Sequence, residues 1–375
     1  MHLNAPLTIA GAETTILTFL EHAEKELFDL SVTSFINPIR CPDNPFPAAV
    51  EVRGGRFQLL PICRSIDVRD VGKVIRVLRK NRVQILHTHG YRADIIGLIA
   101  ARYCGVRLVS TVHGWTPVSG KLRLYEALDL WALKHFDNVI AVARPLAETL
   151  VRSWGTDDKV TLLLNAVSFK GTVATSDESM QIRAAMRREC DLCPNDYVAG
   201  VIGRLSSEKG VNYFLESFPL LSVRFPQLKA IVVGNGTERH VLEAQAKKLG
   251  VLGNVKFLGY REDISDIFRA LDVLVLPSLT EGVPIVVLEA FVHRVPVIAS
   301  GVGGLPEIID HGINGLLVPP GEPERIAQAL EMLLTDIPHG ERLAQTAYDR
   351  AMKQFDPQQW ARRIEAVYSQ VILRR

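Results

Sequence analysis

The chain has 375 residues, 47% of them hydrophobic and 22% charged, with 43 lysines and arginines against 41 aspartates and glutamates. That length suits two domains with a core each, and the composition is that of a folded globular protein rather than a disordered, collagenous or coiled-coil one. A net charge of +2 excludes a strongly basic nucleic-acid binder, although residues 1–170 carry +5 and the remainder −3.

The amino terminus has no basic leader, and Glu13 and Glu21 flank its first apolar stretch, so it reads as no secretory signal. The apolar runs at 95–101 and 282–288 stop at seven residues, well short of the ~18 that a membrane helix needs. Five scattered cysteines, an odd number, make no disulfide framework in a chain of this size, and a reducing cytoplasm is the expected compartment.

In chain order, only Met1-His-Leu3 precedes the turn leading to Gly11-Ala-Glu13, so either the first strand is very short or the chain begins late relative to its relatives. Short apolar runs then alternate with amphipathic stretches, the pattern of a parallel sheet covered on both faces. Strands are expected at 30–35, 57–60, 83–88, 106–112, 138–142 and 160–164. Between 69 and 82, Arg69, Lys73, Arg76 and Lys80 recur at helical spacing opposite Val71, Ile75 and Leu78. This is an ordinary solvated face or a surface for an anionic leaflet. The polar stretch 169–195, with two helix-like turns at most, reads as a linker after a first domain of residues 1–168.

A second strand series is expected at 197–202, 228–233, 254–258, 272–276, 295–299 and 314–318, giving a second domain at 196–356. Ile326, Leu330 and Leu333 mark a helix over 323–334. The tail 357–375 sets Trp360, Ile364, Val367 and Ile372 on roughly one stripe and is expected to cross back onto the first domain.

Two segments carry chemistry. In Val201-Ile-Gly-Arg-Leu-Ser-Ser-Glu-Lys-Gly210, a strand runs into a loop and a helix. Arg204 offers a fork for paired phosphate oxygens and Lys209 a mobile charge, against the alternative of two loose surface cations. In Glu281-Gly-Val-Pro-Ile-Val-Val-Leu-Glu289, a strand delivers Glu281 to the end of the sheet where ligands bind in open α/β folds. The N–H groups of Gly282, Val283 and Ile285 would open the next helix, with Pro284 in its first turn. Glu289, one turn on, could accept two adjacent hydroxyls, or it is simply a satisfied helix glutamate. Gly234-Asn-Gly-Thr-Glu-Arg239 begins like a dinucleotide fingerprint, but an arginine stands where the third glycine belongs, and no phosphate-binding Gly-x-x-x-x-Gly-Lys-Ser/Thr loop occurs. The single Cys190-Asp-Leu-Cys193 pair is a poor zinc signal.

Taken together, Gly203-Arg-Leu-x-x-x-Lys-Gly, Val233-Gly-Asn-Gly236, Phe257-Leu-Gly259, Asp272 to Ser278, the two glutamates, Val302-Gly-Gly-Leu-Pro-Glu307 and Asn314-Gly-Leu-Leu-Val-Pro resemble the retaining glycosyltransferases of the GT-B fold, family 4. The first domain resembles them more loosely, in Ile85-Leu-His-Thr-His89, Val109-Ser-Thr-Val-His-Gly114 and Gly11-Ala-Glu13. Ala10 replaces the family's first glycine, and Asn165-Ala-Val-Ser replaces its usual Asn-Gly-Val-Asp.

The resemblance implies two doubly wound, Rossmann-like α/β domains facing across a cleft. Arg204 and Lys209 would bind a donor diphosphate, with Gly11 near it. Glu289 would hold ribose hydroxyls, and Glu281 with the amides of Gly282, Val283 and Ile285 would contact the transferred sugar. His113 would face that sugar, and Arg261 would meet the base. His87 and His89 are read as pointing to opposite faces of their strand, so that only one reaches the cleft, and His89 is favoured for the acceptor side. The expected reaction is retaining sugar transfer from a nucleotide diphosphate donor to a glycan or lipid-linked hydroxyl, with no metal, no other cofactor and no nucleic-acid partner. The expected place is the cytoplasm, either free or peripheral at the inner face of the membrane. A nucleotide-sugar epimerase of the same fold and a non-catalytic donor-binding scaffold are the rivals.

Overall fold

The computed structural model describes residues 1–39, 41–62, 67–114, 121–169 and 176–373. The chain divides into two compact units, Met1–Ala166 with Pro357–Arg375, and Val167–Asp356.

The first unit holds β1 (His2–Asn4), β2 (Ser31–Ile36), β3 (Arg56–Pro61), β4 (Ile85–His89), β5 (Arg107–Val112), β6 (Asn138–Ala141) and β7 (Val160–Leu162) in one sheet of order β3-β2-β1-β4-β5-β6-β7. Every pairing is parallel, so each connection is a crossover that lays a helix on one face. Three residues suffice for β1 because β2 and β4 clasp it, His2 lying opposite Val32 and His87.

Parallel strands covered on both faces normally read as apolar runs, yet β4 and β5 bury His87, Thr88, His89, Ser110 and Thr111. The two faces split them. Thr88 and Ser110 turn to the helix Tyr91–Cys104, where both hydroxyls donate to Asp94, the latter at 2.8 Å. Burial, reinforced by neighbouring Asp129, pushes the Asp94 carboxyl well above the carboxylate range. His87, His89 and Thr111 lie on the other face, under the helices Gly11–His22 and Pro357–Leu373.

That last helix buries Trp360, Ile364, Val367, Tyr368 and Val371 with Phe19, Val109 and Ile140. Ile372, expected on this stripe, is 44% exposed. Steps of four, three and four from Trp360 end on Val371, and the next residue turns about 100° away.

The second unit holds β8 (Tyr197–Ile202), β9 (Leu228–Val233), β10 (Val255–Gly259), β11 (Val273–Leu276), β12 (Val297–Ser300) and β13 (Leu316–Val318), again all parallel, in the order β10-β9-β8-β11-β12-β13. The helix Pro323–Thr335 buries Ile326, Leu330 and Leu333 against it.

The stretch expected as a linker folds instead. Ser176–Glu189 is a helix of this unit, and its polarity serves the structure. Arg183 and Arg187 grip the two oxygens of Asp272 at 2.5 and 2.6 Å, and Asp272 also accepts the Val198 N–H at 2.7 Å. Arg187 further donates to the carbonyls of Ala270, Pro194 and Asp196. One helix thereby ties together the amino ends of β8 and β11.

Candidate active site

In each sheet the strand order reverses at one point, between β1 and β4 in the first and between β8 and β11 in the second. Open α/β sheets bind ligands outside the carboxyl ends of the strands that flank such a point.

In the second unit those ends deliver the two segments singled out above. β8 leads into Gly203 to Gly210, and β11 leads into Pro277 to Glu281 and the helix Ile285–Val292. The loops are fastened to each other, the Leu279 N–H donating to the Glu208 carbonyl at 2.8 Å. The β11 loop is also approached at bare backbone, by Gly210 of the β8 loop and by Gly303 of the segment after β12. A side chain on Gly210, at φ +61°, would run into the Pro277 carbonyl, and one on Gly303, at φ +57°, into that of Glu281.

Lys209 donates to Glu281 at 2.6 Å, and the Ser278 hydroxyl donates to the same oxygen at 2.7 Å. The Glu281 side chain is only 7% exposed, so its carboxylate is held in a fixed position by one cation and one hydroxyl. Sequence reasoning gave Lys209 and Glu281 separate tasks and overlooked Ser278. The signal for Ser278 was its place one residue beyond Pro277 at the strand end.

Arg204 is 58% exposed and pairs with Glu208 at 2.9 Å. Burial alone would raise the Glu208 carboxyl, but the Ser206 hydroxyl at 2.7 Å with Arg204 and Lys209 outweighs it and holds the pKa low. An exposed pair of this kind contributes at most about 1 kcal/mol, so an incoming diphosphate can take the guanidinium at little cost.

Glu289 lies one turn into its helix, partly buried. Its carboxylate has no hydrogen-bond partner among the described residues, and burial raises its pKa to about 7. Pro284 stands just before this helix, at its cap, with Gly282, Val283 and Ile285 buried around the helix start. Arg261, past the edge strand β10, already spends its guanidinium on Asp263 at 2.5 and 2.8 Å and Glu189 at 2.5 Å, which keep its charge permanent.

In the first unit Gly11 opens the helix Gly11–His22, and space is free beside it. Glu13 accepts from the Ala10 N–H and from Asn4, both at 3.2 Å, and so secures the turn despite the missing glycine. His87 and His89 share one face, contrary to expectation, because strand side chains repeat every two residues. Their rings stack at 4.6 Å. His89 bonds His113 through Nδ1 at 3.2 Å and His2 through Nε2 at 3.0 Å. His113, just past β5, is pushed down to about 4 by burial, and the other three rings fall well below the usual histidine value for the same reason.

His2, His87 and His89 place a ligating nitrogen each within 4.8 Å of one another. Imidazole donors suit zinc, nickel or copper, but these nitrogens are already hydrogen-bonded and the set includes no carboxylate to balance a divalent charge. Sequence reasoning missed His2 and Tyr368 here. A lone histidine in a three-residue strand and a tyrosine on an amphipathic helix carry no functional signal of their own.

The two units match two family models, "Glycosyltransferase Family 4" over residues 9–170 and "Glycosyl transferases group 1" over residues 183–350. The chain is similar to an uncharacterized glycosyltransferase of Methanocaldococcus jannaschii, 28% identical across 71% of this chain and 70% of that protein. It is likewise similar to the UDP-Gal:alpha-D-GlcNAc-diphosphoundecaprenol alpha-1,3-galactosyltransferase of Escherichia coli, 27% identical across 89% of this chain and 87% of that one. Among solved structures, Anabaena HepE in complex with UDP-glucose superposes with a TM-score of 0.86 over 98% of this chain and 99% of its own, at 22% identity. The chain belongs to the group 1 glycosyltransferases of the family 4 type and has the two-domain fold of GT-B enzymes. It is a glycosyltransferase.

Proposed function

We propose that this enzyme transfers a hexose, with retention at the anomeric carbon and without a metal ion, from a nucleotide diphosphate sugar to a hydroxyl of a glycan or lipid-linked acceptor. The observation that carries the reading is the grouping of Arg204, Lys209, Glu281 and Glu289 at the switch point of β8 and β11. Glu289 accepts the ribose hydroxyls, a task for which an unpartnered carboxylate is suited. Arg204 leaves Glu208 for the diphosphate, and Lys209 bridges that diphosphate to Glu281.

As the bond from the anomeric carbon to the diphosphate oxygen breaks, negative charge grows on that oxygen, and preformed cations stabilise it most at that moment. The acceptor oxygen bonds the anomeric carbon from the face that the diphosphate leaves, and the acceptor's proton passes to a diphosphate oxygen. Glu281, pinned by Ser278 and Lys209, holds the sugar hydroxyls, and His113 meets the same sugar. UDP-glucose and UDP-galactose are the donors to try first, given what the relatives are named for. In EDTA, one of them should release UDP with an α-linked product, and Lys209→Ala should lower kcat/KM by about 100- to 1,000-fold. A β-linked product, or turnover that EDTA abolishes, overturns the reading.

No helix among the described residues is long and apolar enough to cross a membrane, and we place the enzyme in the cytoplasm, docked on an anionic leaflet. Arg69 is tied to Asp67 and Lys73 to Asp70, which leaves Arg76 and Lys80 exposed to meet lipid. The neighbouring helices add Ile99, Tyr103 and Trp131, all more than half exposed. Removing either Arg76 or Lys80 should weaken co-sedimentation with anionic vesicles about fivefold, or about 1 kcal/mol per cation. Equal binding to neutral vesicles would refute the docking.

A further inference from the structure

Six buried or partly buried groups of the first unit form one unbroken hydrogen-bonded chain. Thr111 Oγ1 meets His87 Nε2 at 2.8 Å, and His87 Nδ1 meets the Tyr368 hydroxyl at 2.6 Å. That hydroxyl reaches His2 Nε2 at 3.4 Å, the longest link. His2 Nδ1 meets His89 Nε2 at 3.0 Å, and His89 Nδ1 meets His113 Nε2 at 3.2 Å. The groups come from β1, β4, β5, the residue just past β5 and the carboxyl-terminal helix. The register places His2 opposite His87 and His89 opposite Thr111 on one face of the sheet.

The protons on this chain are not independent. A neutral imidazole has one N–H and one lone pair, and His2, His87 and His89 have both nitrogens in the chain. Each must therefore donate in one direction and accept from the other. The tyrosine hydroxyl has a single proton and does the same. Burial keeps all four rings neutral and the Tyr368 hydroxyl protonated, and a charged imidazolium, donating from both nitrogens, would break a link.

Only two arrangements satisfy every link. In one, all four histidines carry the proton on Nδ1; in the other, all four carry it on Nε2. His113 ends the chain with Nδ1, which has no partner among the described residues. The first arrangement makes that nitrogen a donor and the second makes it an acceptor.

We infer that Tyr368 and His2 are positioning residues, which through His89 decide whether His113 offers a proton or a lone pair to its ligand. The inference deepens the reading of His113 as the histidine that meets the donor sugar and rests on it. The carboxyl-terminal helix thereby acts on a ring it does not touch, and a change between the two arrangements moves every proton one link without creating charge. A metal ion on His2, His87 and His89 would take the lone pairs that the chain uses, so the two occupancies exclude each other.

The test is nitrogen-15 NMR on the full chain labelled at histidine, near neutral pH. The four rings should be neutral and show the same tautomer, or the same tautomer ratio. Tyr368→Phe should leave His2, His89 and His113 matched and release His87 from them. In that variant kcat with UDP-glucose should fall about tenfold while KM stays within about twofold, because the ring is still present but wrongly protonated. Different tautomers or tautomer ratios among the four rings of the unmodified protein, an imidazolium at any of them, or stoichiometric bound zinc, nickel or copper would overturn the inference, and that measurement needs no variant to fold. The tautomers are read without turnover, so the two ideas fail separately. His113→Ala with unchanged turnover would remove His113 from the donor site and leave the chain standing.

Discussion

At Glu289 the acidity and the proposed task point the same way. Its carboxyl is raised by burial from 4.5 to about 7, so the folded state holds a proton that the unfolded state has released over that interval. Stability should fall as pH rises from about 4.5 to about 7 and then level off. Glu289→Gln should flatten that slope in thermal melts while weakening donor binding about 10- to 100-fold, since a hydrogen bond to a charged group is worth about 1.5–3 kcal/mol. A variant that keeps the slope, or keeps its donor affinity, would place the group elsewhere. The places of Arg204, Lys209 and Glu281 were legible because their loops follow central strands, where sequence position fixes spatial position, and that of Glu289 because it lies one turn into the helix that comes next. The Lys209–Glu281 bond was not, because it joins loops 72 residues apart. The facing of His87 and His89 was available from the two-residue period and was misread.

At the scale of elements, the strands were legible because apolar runs between turns have few other solutions in a chain that alternates them with helices. The helix Ser176–Glu189 was not, because it buries arginines where periodicity looks for aliphatic residues. Asp272 explains the pattern: it receives Arg183, Arg187 and the Val198 N–H together, and no local rule reveals a partner 85 residues away. Arg187→Met should cost about 3 kcal/mol, because a carboxylate that two guanidinium groups shared is left with one in a largely closed setting. Urea unfolding followed in the isolated second unit and in the whole chain should show the same loss. A loss below about 1 kcal/mol would mean that the helix is held by its apolar contacts instead.

For the whole molecule, the first unit should lose more stability in acid than the second. The first buries His2, His87, His89 and His113, all with depressed pKa values, His113 at about 4. A base depressed in the fold contributes stability above its unfolded value of 6.5 that is lost as pH falls towards the folded value. At pH 5 each histidine that stays neutral costs about 2 kcal/mol relative to neutral pH, less where the rings share a charge. Asp94 works against this, its raised carboxyl favouring the fold at low pH, but one acid opposes four bases. In the second unit burial raises Glu289 and lowers His293, so lowering the pH from 7 towards 5 relieves the one and penalises the other. Calorimetry between pH 8 and pH 5 should therefore move the transition of the first unit down by several degrees and that of the second much less. His2→Phe should remove part of the first shift and none of the second. If both transitions fell together, the charged surface would govern the acid response, and the buried histidine row would be a minor part of it.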